Sequence, residues 1–269
     1  MSIEALLENG CIPYIATSEH LLPYFDTKPF GYTLAPYCDG PDKTNFHQAY
    51  IRSNTLAFEA DLTMPQWVYI DYVMLQTASI GFMIERKRVP NKVLAQFDAD
   101  PLVEVGELDF VPISGQTAGL TADKETWQGV SLFSLAKHFP DLRSLGLGTY
   151  TRALALEAFG AKKFRGITQY DNLAVSIHGK TAKEFFIKQA IVWLHPRTHM
   201  TFIYEQEPCF TLDDLRPRAA EEYSFLISAY DFEAKKRIEV GLREGKRYKI
   251  VPPFQIKKGD DLLLPIVEC

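Results

Sequence analysis

Arg143-Ser144-Leu145-Gly146-Leu147-Gly148 leads straight into Thr149-Tyr150-Thr151-Arg152-Ala153-Leu154-Ala155-Leu156-Glu157-Ala158-Phe159-Gly160. Two alternate glycines open a run of good helix formers, and Gly160 closes it where a helix C-terminus favours a residue free to take positive φ. The first turn of a helix carries N–H groups without intrahelical acceptors, and the macrodipole adds roughly half a positive charge there. An anion is stabilised at such an end, and glycine lets it approach the backbone. The plainer reading is a glycine-containing turn ahead of an ordinary core helix. The residues that follow favour the first.

Phe164-Arg165-Gly166-Ile167-Thr168-Gln169-Tyr170 reads as a strand, and Asp171-Asn172-Leu173-Ala174-Val175-Ser176-Ile177-His178 as the start of another helix with Asp171 as its N-cap. The order is loop, helix, strand, helix. This resembles the GNAT superfamily of acyl-CoA-dependent N-acyltransferases. In that family an R/Q-x-x-G-x-G/A loop and helix hold the pyrophosphate of coenzyme A. An Asn follows about 30 residues after the motif Arg, an Ala about three residues later and a Tyr about seven. Here Asp171 or Asn172, Ala174 and His178 stand in that register.

The resemblance is clearest over Arg143 to His178 and extends over residues 67 to 205. It implies an α/β fold, a GNAT-like mixed, mainly antiparallel sheet flanked by helices. It implies acetyl-CoA or another acyl-CoA as cofactor, held by Arg143, Leu145, Gly146, Leu147, Gly148, Thr149 and Asn172. Two features depart from the family pattern. Its members run from the fourth strand almost directly into the glycine loop, whereas Ser114 to Leu142 reads here as an insertion containing the amphipathic Trp127–Phe139. His178 replaces the usual Tyr proton donor.

The whole chain sets outer bounds. Its 269 residues, 46% hydrophobic and 13% aromatic, can bury a sizeable core, and no apolar run is long enough to span a bilayer. The first ten residues lack a basic region and an apolar signal core, so a cytoplasmic protein is expected, with no membrane partner. Cys11, Cys38, Cys209 and Cys269 are scattered, which suggests neither a zinc site nor a disulfide framework. His195 and His199 have i, i+4 spacing, but the intervening Pro196 indicates a turn and no metal is assigned. A net charge of -5 argues against broad affinity for nucleic acid.

Two regions are expected: residues 1–209 as the acyltransferase domain, with the insertion at 114–142, and 210–269 as an extension packed on it. Asn45 to Ala60 reads as a helix. Trp67–Leu75 and Ser79–Ile84 read as paired strands, Glu184–Leu194 and Met200–Tyr204 as two more, and Leu212 to Arg243 as helix-rich. In Leu102–Val111 the apolar residues change parity around Gly106, which a β-bulge would produce. By the resemblance this would be the fourth strand, whose bulge parts it from the fifth and admits the thioester.

Acyl transfer to an amine needs a neutral nucleophile, a polarised carbonyl and protonation of the leaving thiolate. Backbone N–H groups of Leu108, Phe110 and Val111 are the candidates for polarising the carbonyl. Glu107, beside the parity break, is the first candidate base, ahead of Glu104 and Asp109. His178 is the candidate acid and Tyr170 a second one. The expected acceptor is a small-molecule or peptide amine, and the protein is free to be an oligomer. The readings from other classes are a degenerate GNAT-like domain acting as a ligand-binding or regulatory module, and an unrelated nucleotide-binding domain with a parallel sheet.

Overall fold

The structure, a computed structural model, describes residues 2–17, 19–25, 27, 30–34, 46–58, 77–97, 103–105, 108–169, 172–193, 199–208, 225–228, 247–250, 254, 256–258 and 261–269. The chain divides into two compact units. The first joins Met1–Lys124 to Gly129–Gly160, and the second joins Glu125–Gln128 to Ala161–Cys269. This division does not coincide with the expected boundary at 209/210.

In the first unit, α1 (Ile3–Glu8) leads into β1 (Ile12–Thr17), β2 (Tyr32–Leu34) and α2 (Phe46–Ala57). Then come β3 (Thr77–Glu85), the short α3 (Asn91–Leu94), β4 (Val103–Val105), β5 (Leu108–Leu120), β6 (Thr126–Ser134) and α4 (Leu147–Phe159). The strands lie in the order β2-β1-β3-β5-β6, with β4 on the flank of β5. The pairs β1–β3 and β3–β5 are antiparallel, and β1–β2 is parallel. Eight of the nine residues of β3 are buried, because α2 and α4 both pack on this sheet. That double cover is why Ser79–Ile84 reads as an unbroken apolar and small run without alternation.

The stretch from 102 to 111 is not one strand. Val105 stands opposite Leu108, Glu104 opposite Asp109 and Val103 opposite Phe110, so β4 and β5 pair with each other. A chain reversal changes side-chain parity just as a bulge does. Gly106 and Glu107 lie outside the described residues. The bulge is elsewhere in β5: Phe82 pairs with Ser114 and Met83 with Pro112, which leaves Ile113 as the extra residue.

The supposed insertion is likewise part of the sheet. Ser114 to Leu120 completes β5, and Thr126 to Ser134, read from sequence as amphipathic, is strand β6. Its inward positions are Ser131, Phe133 and then Leu135, all buried. Ser131 is tolerated inside because Asn54 Nδ2 donates to its Oγ at 2.6 Å. After β6, two short 3-10 turns, Ala136–His138 and Pro140–Leu142, deliver the chain to the glycine loop.

In the second unit β7 (Lys163–Gln169) precedes α5 (Ala174–Lys180), the antiparallel pair β8 (Glu184–Trp193) and β9 (His199–Glu207), and then β10 (Phe225–Ser228), β11 (Tyr248–Ile250), β12 (Ile256–Lys258) and β13 (Asp261–Glu268). The order is β7-β9-β8-β11-β13-β10, with β12 on β13. The start of β6 joins this unit by parallel pairing of Thr126, Trp127 and Gln128 with Lys163, Phe164 and Arg165. β7 alternates cleanly: Phe164, Gly166 and Thr168 are buried while Lys163, Arg165 and Ile167 are exposed. Within Leu212 to Arg243, expected to be helix-rich, the described residues 225–228 form a strand, and the rest lies outside the described residues. Trp67–Leu75 also lies outside them.

Beside the exposed Arg165 of β7, the buried Glu205 accepts from Arg165 Nε at 2.9 Å and sits 3.3 Å from Lys188 Nζ. Burial opposes its ionisation, but the bonds from Arg165 and Lys188 outweigh that and hold its pKa below the ordinary carboxylate value. A depressed folded-state pKa stabilises the fold above the unfolded-state value and loses that contribution as the pH falls through the folded one. Glu205→Gln should therefore lower stability at about pH 7, and the deficit should vanish on acidification toward about pH 3. Urea denaturation at a series of pH values checks this; a deficit independent of pH would show that the charge is not responsible.

Candidate functional site

The glycine loop is built by turns that open the backbone. Leu145 N–H donates to Leu142 O at 3.2 Å, and both Ser144 (φ 78) and Gly146 (φ 80) take the left-handed conformation. The first intrahelical bond of α4 runs from Tyr150 N–H to Gly146 O at 3.0 Å. By helix geometry the N–H groups of Gly146, Leu147, Gly148 and Thr149 therefore have no acceptor within the helix. Arg143 and Ser144 are exposed, Leu145, Gly146 and Thr149 are half-buried, and no acidic residue occupies the first turn. The chemistry of this donor set fits a diphosphate: several N–H groups, the positive end of a thirteen-residue helix and a guanidinium. Gly160 closes the helix with φ 54, as the sequence implies.

Serine has no claim on positive φ. A residue with a Cβ in this region costs about 1–2 kcal/mol, which glycine avoids at the expense of some chain entropy. Ser144→Gly should raise stability by about 0.5–1 kcal/mol in urea denaturation. A loss instead would show that the Ser144 side chain contributes more than its backbone conformation costs.

The helix behind the loop is held by polar contacts in an otherwise apolar interior. Thr151 and Ser114 are fully buried, with their hydroxyl oxygens 2.6 Å apart. Arg152, also fully buried, donates from Nη1 to Gln116 Oε1 at 2.7 Å. Gln116 Nε2 in turn reaches Thr117 O at 2.9 Å and Ser131 O at 2.8 Å. Tyr50 Oη lies 2.6 Å from Thr117 Oγ1, which Ser79 Oγ also approaches at 2.5 Å. Burial pushes the Tyr50 hydroxyl up to about 12 against the hydrogen bonds of Thr117, Ser79 and Ser131, so it stays protonated. Sequence reasoning missed these residues. The signal was small polar and charged side chains, Ser114, Gln116, Thr151 and Arg152, inside segments otherwise apolar.

The other expected site residues are distributed as follows. Leu108 and Phe110 pair with β4, and Phe110 and Val111 with β3. All three lie on β5, and the strand that precedes the glycine loop is β6. Glu107, Tyr170 and Asp171 lie outside the described residues. Asn172 caps the turn into α5, its Oδ1 accepting from Ala174 N–H at 2.9 Å. His178, 4% exposed, stacks on Tyr204 with ring centroids 4.7 Å apart and lies parallel to Phe185 at 6.4 Å. His138, in the turn between β6 and the loop, has a buried Nε2 without a hydrogen-bond partner among the described residues. Cys11 is buried and its thiol is pushed up to about 12, which keeps it from acting as a thiolate nucleophile.

The arrangement around the loop decides the fold class. β1, β3, β5 and β6 are followed by the glycine loop and α4; the next strand, β7, pairs in parallel with the fourth and ends ahead of Asn172 and a short helix; the antiparallel pair β8–β9 follows. The fold is GNAT-like. No family model matches the chain, and neither does any curated protein. Among solved structures it is similar to the NatC complex bound to Gag peptide and CoA, at 14% identity and a TM-score of 0.39 over 61% of this chain and 92% of that one. It is similar to a GNAT-family protein from Desulfovibrio desulfuricans, at 13% identity and 0.36 over 60% and 90%. It is also similar to yncA from Salmonella typhimurium, solved with its cofactor acetyl-CoA, at 13% identity and 0.36 over 66% and 91%. The fold class is carried by the strand order and by the glycine loop and helix that follow β6.

Proposed function

We propose that this GNAT-like chain is an acyl-CoA-dependent N-acyltransferase that binds coenzyme A through its pyrophosphate on Gly146 to Thr149. The observation that carries the reading is the open first turn of α4, with Tyr150 N–H making the first intrahelical bond and four N–H groups ahead of it. Arg143 adds a positive charge at the mouth of the loop, and Gly146 lets the ligand reach the backbone.

The thioester supplies an activated acyl group. The amine nitrogen of the acceptor attacks its carbonyl carbon, forming the C–N bond as the C–S bond breaks, and the thiolate takes up a proton. Direct attack in a ternary complex needs no covalent acyl-enzyme. Glu107 is the proposed base, acting directly or through water, and His178 the proposed acid, with Tyr170 as a second donor. Glu107 is chosen for its place beside the parity change, His178 for its place in the family register and Tyr170 for its place at the strand end. Glu107→Gln should depress the acidic limb of the rate profile, and His178→Ala the basic limb. A fall in stability with an unchanged pH profile would make His178 a core ring and nothing more. The acceptor is a small-molecule or peptide amine, and the protein is proposed to act in the cytoplasm.

Calorimetric titration with coenzyme A, then thiol release from acetyl-CoA across a panel of amines, tests the reading. Binding with turnover supports it. Binding without turnover for any amine would favour a ligand-binding module, and failure to bind would overturn the assignment of the loop.

A further inference from the structure

The β5 bulge and the glycine loop are joined by a buried line of hydrogen bonds. At the bulge Phe82 N–H donates to Ser114 Oγ at 3.2 Å, a side chain standing in for a ladder carbonyl. Ser114 Oγ lies 2.6 Å from Thr151 Oγ1, and Thr151 Oγ1 donates to Leu147 O at 2.7 Å. Thr151 Oγ1 carries one hydrogen and has two acceptors within its reach, Ser114 Oγ at the bulge and Leu147 O in the helix, so this single hydroxyl bridges the two. Leu147 is the first residue of α4. The bulge also fixes the chain on its way into the loop. The carbonyl of Ile113, the extra residue, accepts from Leu135 N–H at 2.8 Å, just after β6 ends. Tyr14 Oη donates to Ser114 O at 2.9 Å and pins the bulge from the opposite side of the strand.

We propose that Ser114 and Thr151 are positioning residues, a hydroxyl relay by which the β5 bulge sets the first turn of α4 in the conformation that presents its free N–H groups. The inference rests on the reading of that turn as the coenzyme A site, but it concerns the geometry of the turn and has its own readout. Both hydroxyls are fully buried, so water does not substitute when one is removed. Leu147 O lies 2.7 Å from Thr151 Oγ1, so the turn whose N–H groups precede the first intrahelical bond is tied to the bulge through Thr151. Loss of the relay frees the turn to relax, and ligand affinity falls before the fold does.

The test uses the full chain with Thr151→Val, Ser114→Ala, their double variant and Thr151→Ser. Coenzyme A affinity is measured by calorimetry, and amide hydrogen exchange without ligand at the exit of the loop, Tyr150 and Thr151, the first amides bonded within α4. Thr151→Val and Ser114→Ala should each weaken binding about tenfold and speed exchange there selectively. The double variant should be no worse than the poorer single one, because one break already opens the relay. Thr151→Ser should stay within about twofold of the parent. Folded Thr151→Val with parental affinity and parental loop exchange would overturn the proposal, as would a loss of stability spread over the whole unit with no selective change at the loop. If the parent protein itself fails to bind coenzyme A, the function proposed above falls, while the exchange measurement still decides the relay. Should Thr151→Val not fold, the comparison of Ser114→Ala with Thr151→Ser carries the decision.

Discussion

Gly146→Val is expected to weaken coenzyme A binding about a hundredfold while leaving the helical and strand content of the protein unchanged. Two effects add at this position. Gly146 has φ 80, a conformation that a β-branched residue adopts only with strain, so the turn must shift to relieve it. The side chain also projects from the residue whose N–H heads the row of free donors, which is where an anion has to come closest. The residue is half-buried at the surface of the first unit, not in its core, so the damage stays local. Circular dichroism establishes that the variant is folded, and calorimetric titration gives the affinity. An affinity within twofold of the parent protein would remove the loop from the binding site.

The second large effect is on stability. Gln116→Leu should cost about 3 kcal/mol in urea denaturation. Gln116 is 2% exposed and lies on β5 beneath α4, where its Oε1 accepts from the fully buried Arg152 guanidinium. Its Nε2 serves the carbonyls of Thr117 and Ser131. Leucine supplies neither acceptor nor donor, so a buried cation loses a partner and two carbonyls lose a donor together. Replacing Arg152 by Met in the same chain should recover part of the loss, since an apolar pair buries no charge. A cost below about 0.5 kcal/mol for Gln116→Leu would mean that the Arg152–Gln116 bond contributes nothing measurable.

What the sequence discloses and what it hides have physical reasons. The glycine loop, its helix and the Gly160 terminus are legible because backbone demands are met by residue types with few alternatives. The β8–β9 pair is legible from its β-branched and aromatic content. The bulge at Ile113 is hidden because Phe110, Val111, Ile113 and Ser114 are all fully buried, so there is no inside-outside alternation for an extra residue to interrupt. The parity change around Gly106 is visible, but a reversal between Val105 and Leu108 produces the same pattern. β6 is disguised by Ser131, a polar residue on its inward face whose partner, Asn54, is 77 residues away. Once β5 and β6 are misread, Ser114 to Leu142 looks like an insertion between the fourth strand and the loop. The relay of Ser114 and Thr151 is illegible for the same reason as the Arg152–Gln116 bond: each half is an ordinary polar residue until the fold brings the two together.

The central claim is that the open first turn of α4 receives the pyrophosphate of coenzyme A. A crystal structure of the protein with coenzyme A tests it most directly. The account predicts pyrophosphate oxygens within hydrogen-bond distance of the N–H groups of Gly146 to Thr149, with Arg143 beside them. A well-ordered coenzyme A elsewhere on the protein, with that turn unengaged, would contradict it.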